Sequence, residues 1–246
     1  MLANAIKFHG LKWLRFTWYY LYFCIYKWKK LQGIYLPVYP RFGYSVLRFI
    51  YNETYECEEL DILKFKLEKT DKVLELGTGI GFISTYCAQK IGSEKVYTFE
   101  ANIFMEPVIE EVFRKNKVTP KFQVALLGNR ELESQFNAQR NFLSSSQKIN
   151  DTRSGKIEVP FLDLNETIKK HVPNYLVMDI EGNEYDVFSI IDFQTIYKVQ
   201  FELHPTLLNS EKVDFIFKKL ADNNFIKDDR LSTEKNYYFE KNVSLS

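Results

Sequence analysis

A ten-residue run constrains this chain more than any other stretch: Val73-Leu74-Glu75-Leu76-Gly77-Thr78-Gly79-Ile80-Gly81-Phe82. The apolar residues before the first glycine read as a short buried strand, and the residues after the last read as a helix running to about Lys90. Glycine is scarce, with only 10 in 246 residues, so three within five positions mark a tight turn with a function. Glycines there permit positive φ and let a ligand approach the backbone. In an open α/β sheet, ligands bind past the carboxyl ends of the strands, which is where this turn falls.

The rest of the body alternates in the same way. Residues 55–69 read as helix, with Leu60, Leu63 and Leu67 spaced by three and four. Strands are expected at 72–76, 95–99, 122–126, 174–178 and 198–203, and helices at 104–116, 163–171, 184–191 and 209–221. Two further strands, at 225–229 and 236–240, lie close enough to form a closing hairpin. Strands separated by helices imply an α/β fold with a doubly wound, Rossmann-like sheet and right-handed crossovers. No internal repeat is visible.

Acids stand at the expected strand tips. Glu75 lies two residues before the first glycine, and Glu100 ends the next strand, 23 residues after Gly77. A carboxylate at that place can accept from both hydroxyls of a ribose. A diphosphate cofactor would use the open helix N-terminus, whereas a sulfonium cofactor is better suited by two carboxylates. The run is G-x-G-x-G, and Phe82 stands where a dinucleotide fingerprint has its last Gly or Ala. Further on, Asp179 and Glu181 follow the fourth strand and His204 ends the fifth. These three are candidate catalytic residues, with His204 an attractive general base because its ordinary pKa is about 6.5. Glu184 reads as a first-turn acid favouring the helix dipole. Glu202 alternates away from Phe201 and Leu203, and the sequence does not orient it. Asp, Glu and His suit a hard cation, yet no ligand spacing demands a metal, and none is expected.

Glu75-Leu76-Gly77-Thr78-Gly79-Ile80-Gly81 followed by Glu100 resembles the cofactor site of class I S-adenosylmethionine-dependent methyltransferases. The segment Met178-Asp179-Ile180-Glu181-Gly182-Asn183-Glu184, then Phe201-Glu202-Leu203-His204, resembles the FkbM-type family within that class. Val124-Ala125-Leu126 and Val159-Pro160-Phe161-Leu162-Asp163-Leu164 are similar to its third-strand end and linking segment. The resemblance spans about residues 55–205. It departs at Glu75-Leu76-Gly77-Thr78, where Asp-Val-Gly-Ala is more usual; a glutamate still offers a carboxylate. It implies S-adenosylmethionine as cofactor, held by Glu75, Gly77, Thr78, Gly79, Gly81, Glu100, Ala101 and Asn102. It also implies O-methylation of a sugar, other glycan or small-molecule hydroxyl.

Charge divides the chain in two. Residues 1–50 carry eight basic side chains (Lys7, Lys12, Arg15, Lys27, Lys29, Lys30, Arg41 and Arg48) and no acid, leaving 25 basic against 32 acidic in the remainder. The expected organisation is therefore a basic, aromatic N-terminal arm over 1–50 and a catalytic domain over 51–246, with a soft boundary at the prolines Pro37 and Pro40. Read as a helix, Leu11, Leu14, Trp18, Leu21, Ile25 and Trp28 share a face, and Lys12, Arg15, Tyr19, Tyr22, Tyr26 and Lys30 share another. Such a stripe suits either packing on the domain or peripheral contact of residues 1–35 with an anionic membrane surface. The uncharged run 16–26 is shorter than the roughly 20 residues of a membrane span. The formal net charge of +1 argues against a nucleic-acid partner. Cys24, Cys57 and Cys87 are odd in number and far apart, giving neither a disulfide framework nor a zinc motif, so a reducing, cytoplasmic setting is expected. Two further readings remain open at this level. A nicotinamide-dependent oxidoreductase would share the turn and the second-strand acid. A membrane-attached binding protein without catalysis would explain the arm but not the acids. The polar stretch Asn129–Asn150 reads equally as a lid or acceptor loop, with Arg130, Arg140 and Arg153 available for an anionic acceptor, or as a disordered segment.

Overall fold

The computed structural model of the chain describes residues 25–39, 42–129, 159–204 and 207–242. Arg130, Arg140, Arg153 and most of the expected acceptor loop lie outside these residues, as does the arm before Ile25.

Seven strands form the central sheet. In chain order they are β3 (Val73–Leu76), β4 (Val96–Glu100), β5 (Lys121–Val124), β8 (Tyr175–Met178), β9 (Lys198–Glu202), β10 (Phe225–Lys227) and β11 (Asn236–Lys241). Their spatial order is β10-β11-β9-β8-β3-β4-β5. Neighbours from β5 to β9 are parallel, while β11 is antiparallel to both β9 and β10. The expected C-terminal hairpin is present, and its last strand inserts between β9 and β10.

Alternation along each strand divides the core into two layers. Val73, Val96, Tyr175, Val177 and Tyr238 face one side. There they pack with α2 (Cys57–Lys66), α3 (Phe82–Ile91) and α4 (Glu106–Asn116). Leu74, Phe99, Leu176, Val199, Phe201 and Phe239 face the other. They meet α5 (Leu164–His171), α6 (Glu184–Ile190) and α7 (Ser210–Asp222). At the amino ends of the strands, Lys198 and Asp71 form a buried ion pair at 3.0 Å. Asn174 joins it by donating to Asp71 at 2.8 Å.

Four local expectations differ from the structure. Trp28 and Lys30 lie on a strand, β1 (Trp28–Leu31), paired antiparallel with β2 (Ile34–Pro37), and so do not continue a helical stripe. Gln32 and Gly33 both take positive φ between them, 47° and 90°, as a two-residue hairpin turn requires. An unexpected helix, α1 (Gly43–Tyr51), follows. Leu31, Ile34, Leu36, Val38, Leu47 and Ile50 are buried in the same layer as Leu60 and Phe82, so β1, β2 and α1 pack into the body's core. Finally, the third strand stops at Val124. The N–H of Ala125 donates to Glu100 and that of Leu126 to Pro160. The chain then re-pairs as β6 (Leu126–Gly128), parallel to β7 (Phe161–Asp163).

Candidate active site

Strand register builds the site. Leu76 pairs with Phe99 on one side and Met178 on the other, and Met178 pairs with Phe201. The next residues, Gly77, Glu100, Asp179 and Glu202, therefore stand side by side at the carboxyl edge of the sheet. A cavity of about 810 Å³ opens above that edge. Its walls include Gly77, Gly79, Glu100, Ala101 and Asn102 at one end and Asp179, Glu181 and Asp186 at the other. Phe42, Val46, Ala125, Leu126 and Phe161 close its sides, which accounts for α1 and the β6–β7 pair.

The glycine turn separates into wall and support. A Cβ on Gly77 would lie 1.7 Å from the Asp179 carbonyl oxygen, so only glycine lets β3 turn this close to β8. A Cβ on Gly79 would meet Glu56 Oε1 and the Tyr55 hydroxyl at ordinary contact distances, 3.4 and 3.5 Å, on the cavity wall. Gly81 instead packs on Phe113, Val112 and Ile109 of α4 and leaves the cavity wall. Glu75 and Thr78 are buried beneath the turn. Thr98 donates its hydroxyl to Glu75, and the Thr78 and Thr98 hydroxyls are hydrogen bonded. Burial raises the Glu75 carboxyl to about 7, against the Thr98 hydrogen bond.

Glu100 is held ready for a ligand. The N–H of Gly79 donates to its Oε2 at 3.0 Å, and that of Asn102 to its Oε1 at 2.8 Å. Each oxygen retains accepting capacity toward the cavity. The Asn102 side chain accepts from the Phe104 N–H and caps the turn that follows.

At the other end lies a carboxylate–imidazole cluster. His204 Nε2 is 3.8 Å from Asp179 Oδ1, 3.5 Å from Glu181 Oε2 and 3.9 Å from Glu202 Oε1. Its Nδ1–H donates to Glu184 Oε1 at 2.7 Å, and that oxygen also accepts the Gly182 N–H at 2.9 Å. Glu184 is fully buried, so it is a support beneath His204, a role its helix-start position does not announce. The Asp-x-Glu-Gly-x-Glu spacing was the available signal. Burial, then the neighbouring Glu202, raises the Asp179 carboxyl to about 7 against the pull of His204. Burial works to lower the His204 imidazole, but the Glu184 hydrogen bond and the surrounding acids outweigh it and raise it. Sequence reasoning also missed Tyr55 and Glu56, which reach the cavity because Glu56 starts α2 in the left-handed region, φ 46°. Burial raises the Glu56 carboxyl well above its ordinary value. His171 is set apart from the cavity, against the Tyr97 ring.

The family model for the methyltransferase FkbM domain matches residues 41–227. The chain belongs to the FkbM methyltransferase family. The match begins before the stretch whose motifs resemble the family, and so takes in α1. No curated protein matches significantly. Among solved structures, a methyltransferase from Pyrococcus furiosus is similar at 14% identity and a TM-score of 0.51. The likeness covers 93% of this chain and 99% of that one. It supports the class I methyltransferase fold. A tRNA (uracil-54, C5)-methyltransferase from Pyrococcus abyssi, in complex with S-adenosyl-L-homocysteine, aligns at 14% identity and a TM-score of 0.49. It covers 87% of this chain and 43% of that one. TYW2 from M. jannaschii, in complex with AdoMet, aligns at 13% identity and 0.45, covering 87% and 86%.

As a member of this family the chain is an S-adenosylmethionine-dependent methyltransferase, and the cavity fits that cofactor. Its volume lies within the range of small-molecule sites. Gly79 puts no side chain on the wall, and Glu100 has the accepting capacity a ribose needs. When bound, the cofactor supplies an electrophilic methyl group on a sulfonium. No helix among the described residues is long and apolar enough to cross a membrane.

Proposed function

We propose that this methyltransferase acts on an oxygen of a sugar, other glycan or small-molecule hydroxyl, with Asp179, Glu181 and His204 serving the acceptor. The observation that carries this reading is the cluster at the tips of β8 and β9. A hydroxyl is a weak nucleophile and gains from a base whose pKa lies near the working pH. Asp179, at about 7, is such a base beside the cavity. His204, oriented by Glu184, stands within 4 Å of the Asp179 and Glu181 carboxylates at the acceptor end. In this reading Gly77, Gly79, Glu100, Ala101 and Asn102 bind the cofactor, while Glu75 and Thr78 support the turn from below. Alignment of acceptor and methyl group supplies much of the acceleration, which the closely set strand tips favour.

Among the described residues, the charged ones that line the cavity are Glu56, Glu100, Asp179, Glu181 and Asp186, all acidic. Such a wall favours neutral polyhydroxyl or cationic acceptors and disfavours phosphate-rich ones, which need basic contacts. The test is direct. Purified protein is incubated with methyl-labelled cofactor and panels of glycans, small hydroxylated metabolites and RNA. Label on a hydroxyl oxygen is expected. Label confined to RNA bases, or to nitrogen or carbon, would overturn the oxygen assignment.

A further inference from the structure

We propose that Asp179, Glu181 and His204 bind one divalent cation of the Mg²⁺ or Mn²⁺ kind at the acceptor end of the cavity. One ligand atom from each of the three lies within 4.8 Å of the others. The separations from His204 Nε2, 3.8 Å to Asp179 Oδ1 and 3.5 Å to Glu181 Oε2, are too long for hydrogen bonds. They match donors spread around a common centre, since ligands about 2.1 Å from one ion lie roughly 3–4 Å apart.

Three independent features point the same way. Asp179 Oδ1 is sealed from solvent and accepts no hydrogen bond, a costly condition for a carboxylate oxygen without a partner. Four carboxylates, of Asp179, Glu181, Glu184 and Glu202, surround one imidazole. Among the described residues no Lys or Arg forms an ion pair with any of them, so the cluster is short of positive charge. The His204 ring is also anchored from behind. Its Nδ1–H is fixed on the fully buried Glu184, which aims Nε2 at the two carboxylates. Carboxylate–histidine support of this kind orients metal ligands.

The donor chemistry selects the ion. One imidazole nitrogen and two carboxylate oxygens, with no thiol in the cluster, suit Mn²⁺ or Mg²⁺ better than a thiophilic metal. Glu181 takes φ 52°, a backbone conformation disfavoured for a side-chain-bearing residue, and its otherwise exposed carboxylate lies 3.5 Å from His204 Nε2. Asp179 and Glu181 line the cavity, so the remaining coordination positions open toward it. They would take oxygens of the acceptor, favouring molecules with two adjacent oxygens. That last step alone rests on the methyltransferase reading.

The experiment uses full-length protein stripped with chelator. Mn²⁺ binding is followed by calorimetry and by loss of the free Mn²⁺ spin-resonance signal, and S-adenosylhomocysteine binding is measured on the same samples. Expected are one Mn²⁺ per chain, displaced by Mg²⁺, and at least a tenfold loss of Mn²⁺ affinity in Glu181→Gln and in His204→Ala. Glu184→Gln should weaken Mn²⁺ by about 10- to 100-fold through the loosened imidazole. S-adenosylhomocysteine affinity should change less than threefold in Glu181→Gln. Circular dichroism checks that each variant is folded. Absence of Mn²⁺ binding by folded wild-type protein, or undiminished binding in both Glu181→Gln and His204→Ala, would overturn the cation site. Because the thioether ligand is measured separately, a failed cation site leaves the cofactor assignment standing, and the reverse also holds.

Discussion

Glu100 shows how much one side chain at a strand tip can do. Its two oxygens tie the Gly79 and Asn102 N–H groups together across the turn, so the ribose contact proposed for it would be pre-organised. Hydrogen bonds to a charged group contribute about 1.5–3 kcal/mol. Glu100→Ala should therefore weaken S-adenosylhomocysteine by about 10- to 150-fold in calorimetry. Unchanged affinity in a folded variant would remove Glu100 from the cofactor site. Asp179 answers to pH. Its carboxyl is raised to about 7, so it is largely protonated, and useless as a base, below that value. In chelator-treated protein, where no cation holds Asp179, turnover should rise as pH increases through about 7 and level off above it. Asp179→Asn should lose about 10²–10⁴ in kcat with a smaller change in cofactor affinity, and the rise near 7 should vanish from what activity remains. A pH profile that keeps that limb in Asp179→Asn would assign the titration to another group. These residues were legible in the sequence because strand tips in an α/β pattern point to one edge. Glu184 was not, because whether an acid at a helix start faces solvent or a histidine twenty residues away is decided by tertiary packing.

At the scale of elements, the glycine turn separates two effects that the sequence presents as one. Gly77 is confined to glycine by the backbone of β8, whereas Gly79 lines the cavity at a positive φ of 58°. Gly77→Ala should impair folding, since no rotamer choice relieves a Cβ 1.7 Å from a backbone oxygen. Thermal denaturation should show a large fall in midpoint or no cooperative transition. Gly79→Val should fold and yet lose cofactor binding, because its side chain would enter the ligand's space from a strained positive φ of 58°. If Gly79→Val bound S-adenosylhomocysteine normally, the turn would be structural only. The strands and helices of the body were readable from periodicity and turn residues. The β1–β2 hairpin was not, since Trp28 continues the helical spacing of Leu21 and Ile25 while the Gln32-Gly33 turn is a weak signal. Nor does any local pattern reveal that β11 inserts between β9 and β10, because that pairing joins Tyr237 to Phe201 across the chain.

At the scale of the whole molecule, the question is where the body begins. The charge break near residue 50 suggests one place and the core another. Leu31, Ile34 and Leu36 are fully buried with Ile50, Leu60 and Phe82. Lys27 and Lys29 are tied to Glu111 and Glu53 at 3.0 and 2.9 Å. A chain starting at Leu36 would lose β1 and the burial of Leu31 and Ile34. At about 1.5–3 kcal/mol for each such side chain, the loss is a large fraction of a typical stability of 5–15 kcal/mol. That truncation should unfold at markedly lower temperature or aggregate, whereas a chain starting at Ile25 should keep its midpoint and its S-adenosylhomocysteine affinity. The same pair of truncations tests the proposed membrane contact of the basic segment. Lys27 and Lys29 are paired; the other basic residues within 1–35 are Lys7, Lys12, Arg15 and Lys30. Each adds about 1 kcal/mol at an anionic leaflet, beside the Leu and Trp stripe. Full-length protein should pellet with phosphatidylserine-containing vesicles at low salt and less so at high salt, and the chain starting at Ile25 should stay in the supernatant. Equal partitioning of the two would place the affinity, if any, on the body and not on the segment that precedes it.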